Sequence, residues 1–280
     1  VRASGAISPA AFERGIECLK RFDSLLQQHP IERYWALGTN TLRVASNADL
    51  FIAAAEEVGI HVSPISGVQE AVLIYAGVLT ALPATSARRL VIDIGGGSTE
   101  VIVGHGSERH LTESLLIGSI TWRDTYFGDP EANAHALELA MASALHDAEA
   151  LFARVAPAVR AAGWDSAYAA SGTIKMLASI CEAAGYGEGI VTQRALQELR
   201  PAFLRHALEG AEIEGLKERR RDLLLAGWSV LLGLMRSYGI EEIRFSPTAL
   251  REGMLDFMVR NERTLAVMPA DGMPGLRERA

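Results

Sequence analysis

A chain of 280 residues with 49% hydrophobic and 22% charged side chains has the composition of a globular protein, with room for one large core or two medium ones. Its net charge of -7 at pH 7 and its pI near 5.6 exclude a general nucleic-acid binder, which needs a basic face to neutralise phosphates. A polyanionic ligand would therefore have to be held by a local basic patch.

The cysteines and the apolar runs indicate the compartment in which we expect the protein. Cys18 and Cys181 are the only two cysteines and lie far apart in the chain, which favours a reducing compartment over a disulfide framework. No apolar run approaches the roughly 20 residues of a membrane span, and no charged segment followed by an apolar one opens the chain. We therefore expect a cytoplasmic protein without a membrane partner.

Hydrophobic periodicity predicts strands that alternate with helices along most of the chain. The predicted helices span residues 9–29, 47–58, 69–82, 120–127, 131–159, 174–183, 194–218 with breaks, 223–235 and 249–260. The predicted strands span residues 34–37, 61–65, 90–94, 100–103, 109–117, 167–170 and 240–245. This order predicts an α/β fold of mixed sheets covered by helices, with ligands in the crevice at the strand ends.

The stretch from Leu90 to Glu100 reads as a hairpin with a polar tip. An apolar strand broken only by one carboxylate is followed by glycines and hydroxyls, in the order Asp93, Gly95, Gly96, Gly97, Ser98, Thr99 and Glu100. Residues without Cβ let the backbone turn sharply and bring its N–H groups near phosphate oxygens, so we predict phosphate at Gly95–Gly97 and Ser98, and a divalent cation at Asp93 and Glu100. A nucleotide P-loop and the nicotinamide fingerprint are both disfavoured, because each needs a helix after its glycines. The alternative is a flexible hairpin loop for which Asp93 is only a capping partner.

Two charged residues also lie near predicted strand ends. Arg43 is a lone cation at the end of a polar turn, residues 38–43, where it is either a surface charge or a group that faces an anion. Glu70 lies near the start of the helix at 69–82. It is either a first-turn carboxylate favoured by the helix dipole or a carboxylate at the mouth of a cleft that orients or deprotonates water.

Two more strands end in turns that carry hydroxyls. Ser171, Gly172 and Thr173 open a helix, so they form either an anion site or an ordinary N-cap. A similar turn, Ser246-Pro247-Thr248, follows the strand at 240–245. With the hairpin, these turns predict a phosphate cleft between two lobes.

Arg219–Arg221, the most basic point in the chain, is either a solvated helix face or a contact with a polyanion.

Five motifs occur in one order up to about Phe257: TNTLR at 39–43, ISGVQEA at 65–71, VIDIGGGSTE at 91–100, ASGT at 170–173 and ALREG at 249–253. With these motifs the chain resembles the exopolyphosphatase and guanosine pentaphosphate phosphohydrolase (Ppx/GppA) phosphatase family. The resemblance implies a two-lobed actin-like ATPase (ribonuclease-H-like) fold with a phosphoanhydride hydrolase site between the lobes. It also implies that Glu70 activates water, that Asp93 is the magnesium-linked acid of a phosphate loop lined by Gly95–Gly97 and Ser98, and that Arg43 faces phosphate.

The chain departs from the family pattern at four points, one of which is Ser246-Pro247-Thr248 in place of a terminal Ser-Asp-Gly-type turn. Nothing in residues 1–40 matches the family's Asp-x-Gly-Ser-Asn-Ser type phosphate loop, so we expect the first strand and first phosphate loop to be missing from this chain. Val72 stands where the family often carries an Arg, and the extra helical domains of longer members do not follow. We therefore expect the short form, with an N-terminal lobe at 1–78, a C-terminal lobe at 79–262 and an irregular tail at 263–280.

The resemblance implies a Mg²⁺-dependent hydrolase that releases orthophosphate from inorganic polyphosphate or guanosine pentaphosphate. A phosphoryl group in transfer spreads negative charge over its oxygens, so backbone N–H groups, a divalent cation and an Arg are suitable stabilisers. Two alternatives stay open: a sugar-kinase-like phosphotransferase on the same fold, and a non-catalytic sensor that binds polyphosphate or nucleotide. The motifs do not separate the two substrates, and they are compatible with a homodimer.

Overall fold

The computed structural model of the protein describes residues 5–129, 132–260, 273–274 and 277–278. Its contacts divide the chain into two compact units, one formed by residues up to 70 together with those from 254 onward, and the other by residues 71–253. These limits fall inside two helices and differ from the boundaries predicted at 78 and 262. The tail predicted as irregular, 263–280, lies outside the described residues except for its two short described pieces.

Strands and helices are interspersed along the chain. The strands are β1 Arg33–Tyr34, β2 Ala36–Gly38, β3 Val62–Pro64, β4 Arg89–Ile94, β5 Thr99–His105, β6 Glu108–Leu115, β7 Ser166–Ala170, β8 Ile190–Thr192, β9 Glu242–Phe245 and β10 Arg277–Glu278. The helices are α1 Pro9–Gln28, α2 Asn40–Val44, α3 Ala48–Glu57, α4 Gly67–Thr80, α5 Ser119–Tyr126, α6 Ala134–Ala153, α7 Ala156–Ala162, α8 Gly172–Ala183, α9 Gln193–Glu198, α10 Arg200–Glu209, α11 Leu224–Tyr238 and α12 Leu250–Arg260. A 3₁₀ helix spans Glu218–Leu223.

The first unit is small and built on short strands. α1 begins as predicted, with Ser8 as N-cap and Pro9 in the first turn, because a proline there loses no helical hydrogen bond. β2 and β3 pair in parallel, and β1 pairs antiparallel with β10. α3 ends at a left-handed glycine, Gly59, as its sequence predicts.

The second unit is organised around a six-stranded mixed sheet in the order β6-β5-β4-β7-β9-β8. β4, β7 and β9 are parallel neighbours, whereas β5, β6 and β8 run antiparallel to the strands beside them. Because parallel strands end at the same edge of a sheet, the turns that follow β4, β7 and β9 lie along one edge. The predicted α/β fold with a mixed sheet covered by helices is confirmed.

Helices cover both faces of this sheet, and β4 shows how its sequence achieves this. Leu90, Ile92 and Ile94 join the larger core with α5–α8 and α11, while Val91 faces a smaller core formed with α4. α11 is buried almost all round, as its continuous apolar sequence predicts. On the other face α4 and α12 cross so closely that a Cβ on Gly77 would lie 2.7 Å from the backbone nitrogen of Gly253. None of the described helices is long and apolar enough to cross a membrane.

Three predicted elements need correction. The single helix predicted at 131–159 is two helices, α6 and α7, because Pro157 can stand in the first turn of a helix but not inside one. The polar turn predicted at 38–43 contains the short helix α2. Strand β8 was not predicted, because three residues are too few to show an alternating pattern.

Candidate functional site

Glu70 is positioned by the start of α4. Ser66 and Gln69 form a reciprocal cap there: the Ser66 N–H donates to Gln69 Oε1 at 2.7 Å, and the Gln69 N–H donates to Ser66 Oγ at 3.1 Å. The Glu70 N–H donates to the Ser66 carbonyl, which places the carboxylate in the first helical turn. The three-residue spacing of Ser66 and Gln69 in the sequence ISGVQE is the signal of this cap.

Arg43 is the partner of this carboxylate. Its Nη1 lies 2.7 Å from Glu70 Oε2 and also donates to the Ile65 carbonyl at 3.0 Å. Only 18% of the Arg43 side chain and 12% of the Glu70 side chain are exposed. The sequence left open whether Arg43 is a surface charge or faces an anion, and in the structure it faces the Glu70 carboxylate, because α2 turns it toward a residue 27 positions away.

The surroundings of Glu70 suit a proton acceptor. Burial raises the pKa of its carboxyl above the ordinary value of 4.5, and the hydrogen bond and charge of Arg43 offset this rise only in part. A carboxylate held in this way binds a proton more readily than an exposed one. It still has a fixed position, since one oxygen is hydrogen-bonded to Arg43.

The glycine hairpin lies in the second unit and has the predicted form. β4 and β5 pair antiparallel, with Asp93 opposite Glu100 and Ile94 opposite Thr99. Ser114 of β6 lies opposite Glu100 and donates to its Oε1 at 2.9 Å. Asp93 is half-buried and Glu100 is buried, so two acidic side chains lie side by side on one face of the sheet.

The glycines allow the loop to pack closely against its neighbours, and their backbone conformation is not unusual. None of Gly95–Gly97 has a positive φ, so the sharp turn expected from residues without Cβ does not use the left-handed region. Instead the loop packs against the start of α5, where a Cβ on Gly96 would lie 2.9 Å from Ile120 Cδ1. A Cβ on Gly118 would lie 2.5 Å from the Gly96 carbonyl carbon.

This packing decides where the loop's N–H groups point. The Gly95 carbonyl accepts from the N–H of Ser119, and the Gly96 carbonyl accepts from those of Ile120 and Thr121. In a planar trans peptide the N–H points opposite to the carbonyl, so the N–H groups of Gly96 and Gly97 point away from α5. Within the described part of the chain neither N–H has a hydrogen-bond partner. Two adjacent main-chain donors that point the same way are available to an anion.

Ser119 joins the hairpin to the Ser171 turn and was not predicted as a site residue. Its Oγ donates to the Gly95 carbonyl at 3.2 Å and accepts from Thr173 Oγ1 at 3.1 Å. Thr173 and Ser119 are both buried. Gly118-Ser119 has the same signature as the other turns, a strand followed by glycine and a hydroxyl, which could have identified it.

The Ser171 turn is a strained N-cap. Ser171 Oγ accepts from the N–H groups of Thr173 and Ile174 at 3.1 and 3.2 Å, which is the capping alternative that the sequence left open. Its backbone has φ 98° and ψ 165°, a region that essentially only glycine occupies. The next residue is Gly172, and the guanidinium of Arg220 packs against its Cα. Strain of this kind is concentrated at functional sites.

The turn after β9 completes the edge. The Ser246 N–H donates to the Ala169 carbonyl at 2.8 Å, and its Oγ donates to the Thr248 carbonyl at 2.9 Å. Glu252 Oε2 accepts from the Ala249 N–H at 2.8 Å and so caps α12. The second unit thus brings together the hairpin, Ser171–Thr173 and Ser246, while Arg43 and Glu70 belong to the first unit.

The carboxylates of the hairpin fit a divalent cation of the Mg²⁺ type. Mg²⁺ is commonly held by one or two carboxylates, with waters and substrate phosphates as its other ligands. Asp93 and Glu100 face each other across a strand pair, so both carboxylates are placed to hold such a cation. Among the described residues, no three His, Cys, Asp or Glu side chains form a fuller metal cluster.

The fold and this edge define an α/β protein of the actin-like ATPase type that presents main-chain donors and carboxylates at its strand ends. The chain belongs to the Ppx/GppA phosphatase family, whose model matches residues 1–262. The resemblance found in the motifs is thereby confirmed.

Two curated relatives carry the same name. The chain is 37% identical over 256 residues to the guanosine-5'-triphosphate,3'-diphosphate pyrophosphatase of Aeromonas hydrophila, a match that covers 91% of this chain and 51% of that protein. It is 38% identical over 251 residues to the enzyme of this name from Vibrio vulnificus, covering 89% and 49%. The chain therefore spans about half the length of the curated relatives it matches.

Solved structures agree on the fold. The Aquifex aeolicus member of the Ppx/GppA family superposes with a TM-score of 0.74 at 25% identity, covering 93% of this chain and 85% of that one. An exopolyphosphatase from Cytophaga hutchinsonii superposes with a TM-score of 0.75 at 25% identity, covering 92% and 84%. The roles of individual site residues, and the single phosphate cleft that would unite Glu70 with the hairpin, stay predictions.

Proposed function

We propose that the protein hydrolyses terminal phosphoanhydride bonds and releases orthophosphate from guanosine pentaphosphate, inorganic polyphosphate or both. The observation that carries the proposal is Glu70, a buried carboxylate with a raised pKa that Arg43 fixes in the first turn of a helix. The names of the relatives and of the Cytophaga structure support the two substrates. Both substrates end in the same anhydride, so one set of site residues serves either.

In the proposed reaction Glu70 accepts a proton from water as the water oxygen attacks the terminal phosphorus. The P–O bond to the next phosphate breaks, and the electron pair leaves with the shortened substrate. The N–H groups of Gly96 and Gly97 donate to oxygens of the transferred group, where negative charge is spread. Arg43 keeps Glu70 in position, and its charge is available to a phosphate oxygen once a substrate competes for it.

A divalent cation such as Mg²⁺ would be held by Asp93, with Glu100 beside it and fixed by Ser114. When bound, such a cation supplies charge neutralisation for the phosphate oxygens. The chain's own contribution is to hold the two carboxylates at one place on the sheet and to leave the glycine N–H donors beside them.

The test is phosphate release by the Glu70→Gln variant. Gln keeps the shape and a hydrogen-bond acceptor for Arg43 but cannot take a proton, so we expect the rate to fall by about 10²–10⁴-fold. The matched control is Glu13→Gln, an exposed acid on α1, which should keep the full rate. Circular dichroism should show both variants folded.

The outcomes separate the candidate functions. Near-normal release by folded Glu70→Gln would contradict the role of Glu70 as base. Calorimetric binding of guanosine pentaphosphate by the unaltered protein with no phosphate released would identify a sensor instead. Transfer of the terminal phosphate of ATP to a small sugar acceptor would identify a phosphotransferase.

A further inference from the structure

The first unit contains a buried hydrogen-bond acceptor that the fold does not use. Oδ1 of Asn40 is buried and has no hydrogen-bond partner among the described residues. Buried polar atoms are nearly always paired, because an unpaired one loses its bonds to water without a replacement. An unpaired acceptor in a native fold therefore points to a catalytic role or to a water molecule that binds there.

The position of Asn40 favours a role in the reaction. The other two described side-chain atoms of this kind are the hydroxyls of Tyr75 and Tyr238, and both tyrosines lie in apolar cores. Asn40 is only half-buried, so a water molecule can reach its side chain. It also opens α2, the short helix that carries Arg43.

α2 places Asn40 on the same side as Arg43. The N–H groups of Leu42 and Arg43 donate to the Thr39 carbonyl at 3.0 and 3.2 Å, so residues 39–43 form one helical turn. Residues three positions apart in a helix are neighbours on one face, and Asn40 and Arg43 have this spacing. Because the Arg43 side chain reaches Glu70, Asn40 lies on the side of α2 that is turned toward Glu70.

The strands before α2 and α4 hold the two helix starts together. β2 and β3 run parallel and therefore end at the same edge of their sheet. The Ile65 N–H donates to the Gly38 carbonyl at 2.9 Å, and Arg43 Nη1 donates to both the Ile65 carbonyl and Glu70. The first turns of α2 and α4, and with them Asn40 and Glu70, thus lie at one edge.

Glu70 has one oxygen available for water. Its Oε2 accepts from Arg43 at 2.7 Å, whereas Oε1 has no hydrogen-bond partner within the described part of the chain. A water molecule has two hydrogens, and its attacking lone pair has a fixed direction only when both are donated to fixed acceptors. Glu70 Oε1 can take the hydrogen that is removed in the reaction. A second acceptor is needed for the hydrogen that stays.

We propose that Asn40 Oδ1 is this second acceptor and orients the attacking water toward the terminal phosphorus. The inference rests on the proposed hydrolase function and adds a residue to the same site. The water oxygen bonds to phosphorus as the P–O bond to the next phosphate breaks. One water proton moves to Glu70 Oε1, and the proton held by Asn40 stays on the orthophosphate. The electron pair of the broken bond leaves with the shortened substrate.

The experiment replaces the amide by an apolar side chain of similar size. Asn40→Leu removes the acceptor and leaves Glu70 and Arg43 unaltered. Guanosine pentaphosphate and long-chain polyphosphate are hydrolysed in water that contains a fixed fraction of methanol, and orthophosphate and methyl phosphate are both measured. Methanol has one O–H hydrogen, which Glu70 can take, and none left for Asn40. The product ratio therefore reports on the second acceptor and is independent of the amount of active protein.

The matched control is Asn133→Leu, which removes the same amide from the N-cap of α6. There Asn133 Oδ1 accepts from the Ala136 N–H at 2.9 Å, so this variant should unfold at a lower urea concentration but keep its kcat and product ratio. Asn40→Leu should show the reverse. Its acceptor has no partner in the fold, so its urea midpoint should be unchanged or higher. If Asn40→Leu does not fold, Asn40→Ala provides the same comparison.

We expect Asn40→Leu to lower kcat for hydrolysis by about two- to tenfold, the rate equivalent of one hydrogen bond of about 0.5–1.5 kcal/mol. KM should stay as in the control. The ratio of methyl phosphate to orthophosphate should rise by a similar factor. Asn40→Asp keeps an acceptor oxygen in the same place, so it should recover the kcat and product ratio of the unaltered protein at a pH where Glu70 is deprotonated.

An unchanged kcat in folded Asn40→Leu would overturn the proposal. So would a fall in kcat with an unchanged product ratio, since a merely structural defect slows both nucleophiles equally. If neither protein forms methyl phosphate, the decision rests on Asn40→Asp, and a kcat as low as that of Asn40→Leu counts against the proposal. Failure of the hydrolase function is distinguishable, because the unaltered protein would then release no phosphate from either substrate.

Discussion

A methyl group added at Gly118 would press directly on the glycine loop. Gly118 has φ -152°, an extended conformation that alanine adopts freely, so the effect of Gly118→Ala is steric. The new Cβ would lie 2.5 Å from the Gly96 carbonyl carbon and 2.6 Å from its oxygen, whereas ordinary contact begins at 3.4 Å. The loop would have to move by about 0.9 Å, because the atoms it meets are backbone and cannot rotate away.

A displacement of this size predicts two separable effects. Overpacking in a close-packed region costs about 1–3 kcal/mol in the free energy of unfolding. A misplacement of about 1 Å in a group that positions the reacting atoms can lower the rate by about 10²-fold. We therefore expect Gly118→Ala to remain folded at 25 °C, to unfold at a lower urea concentration and to lose most of its phosphate release.

The assay is phosphate release from guanosine pentaphosphate or polyphosphate under saturating Mg²⁺, with urea unfolding followed in parallel. The control is Gly128→Ala, whose backbone is not left-handed and whose Cβ would meet, among the residues that the structure describes, only the Asp124 carbonyl at an ordinary 3.4 Å. It should match the unaltered protein in both measurements. A folded Gly118→Ala variant with an unchanged kcat would refute the idea that the glycine loop holds the reacting phosphate.

Three other outcomes follow from the same contacts. Arg43→Gln should move the acidic limb of the pH profile of kcat/KM to higher pH, because Glu70 acts only when deprotonated and both effects of Arg43 lower its pKa; an unmoved limb would contradict this. Ser171→Gly should unfold at higher urea than Ser171→Ala, since alanine at an N-cap costs about 0.5–2 kcal/mol and glycine only a few tenths, and only glycine relieves the positive φ. The reverse order would show that the backbone is not strained. A thiol reagent followed by mass spectrometry should modify exposed Cys18 in the native protein but Cys181 only after unfolding, because burial raises the pKa of the Cys181 thiol to about 12.

The features that the sequence predicted well are those encoded over short distances. The hairpin follows from a strand, three glycines and a second strand within eleven residues, and its pairing of Asp93 with Glu100 is a consequence of that spacing. The cap at Ser8 is equally local, since the capping residue and its partner lie within one helical turn. Such signals need no knowledge of the rest of the fold.

The features that were missed depend on tertiary approach. The Arg43–Glu70 pair joins residues 27 positions apart, and the Ser119–Thr173 hydrogen bond joins residues 54 positions apart. A sequence pattern gives the side chains but not the distance between them. The direction of the loop's N–H groups was equally hidden, because it is set by which carbonyls the start of α5 engages.

The basic run at Arg219–Arg221 is a second case in which the sequence gives the side chains but not their contacts, here within three residues. The sequence offered a solvated face or a contact with a polyanion for the run as a whole. The structure separates its members: Arg221 is paired with Glu218, whereas Arg219 and Arg220 line a cavity with Lys175. The residues of a run of like charges can therefore have different roles, since neighbouring side chains on a 3₁₀ helix point in different directions.

The amides of Gly96 and Gly97 have no hydrogen-bond partner among the described residues and are main-chain donors. A peptide N–H does not titrate in the range where the protein is folded, so the two donors themselves add no pH dependence to anion binding, and any such dependence arises from groups that ionise, such as Glu70 or the phosphate of the ligand. Among substitutions at Gly96 or Gly97, only proline removes the N–H donor, because proline lacks the hydrogen. Alanine at either position keeps the N–H donor and adds a methyl group. An alanine scan would therefore measure the effect of the added bulk and not the role of the donor.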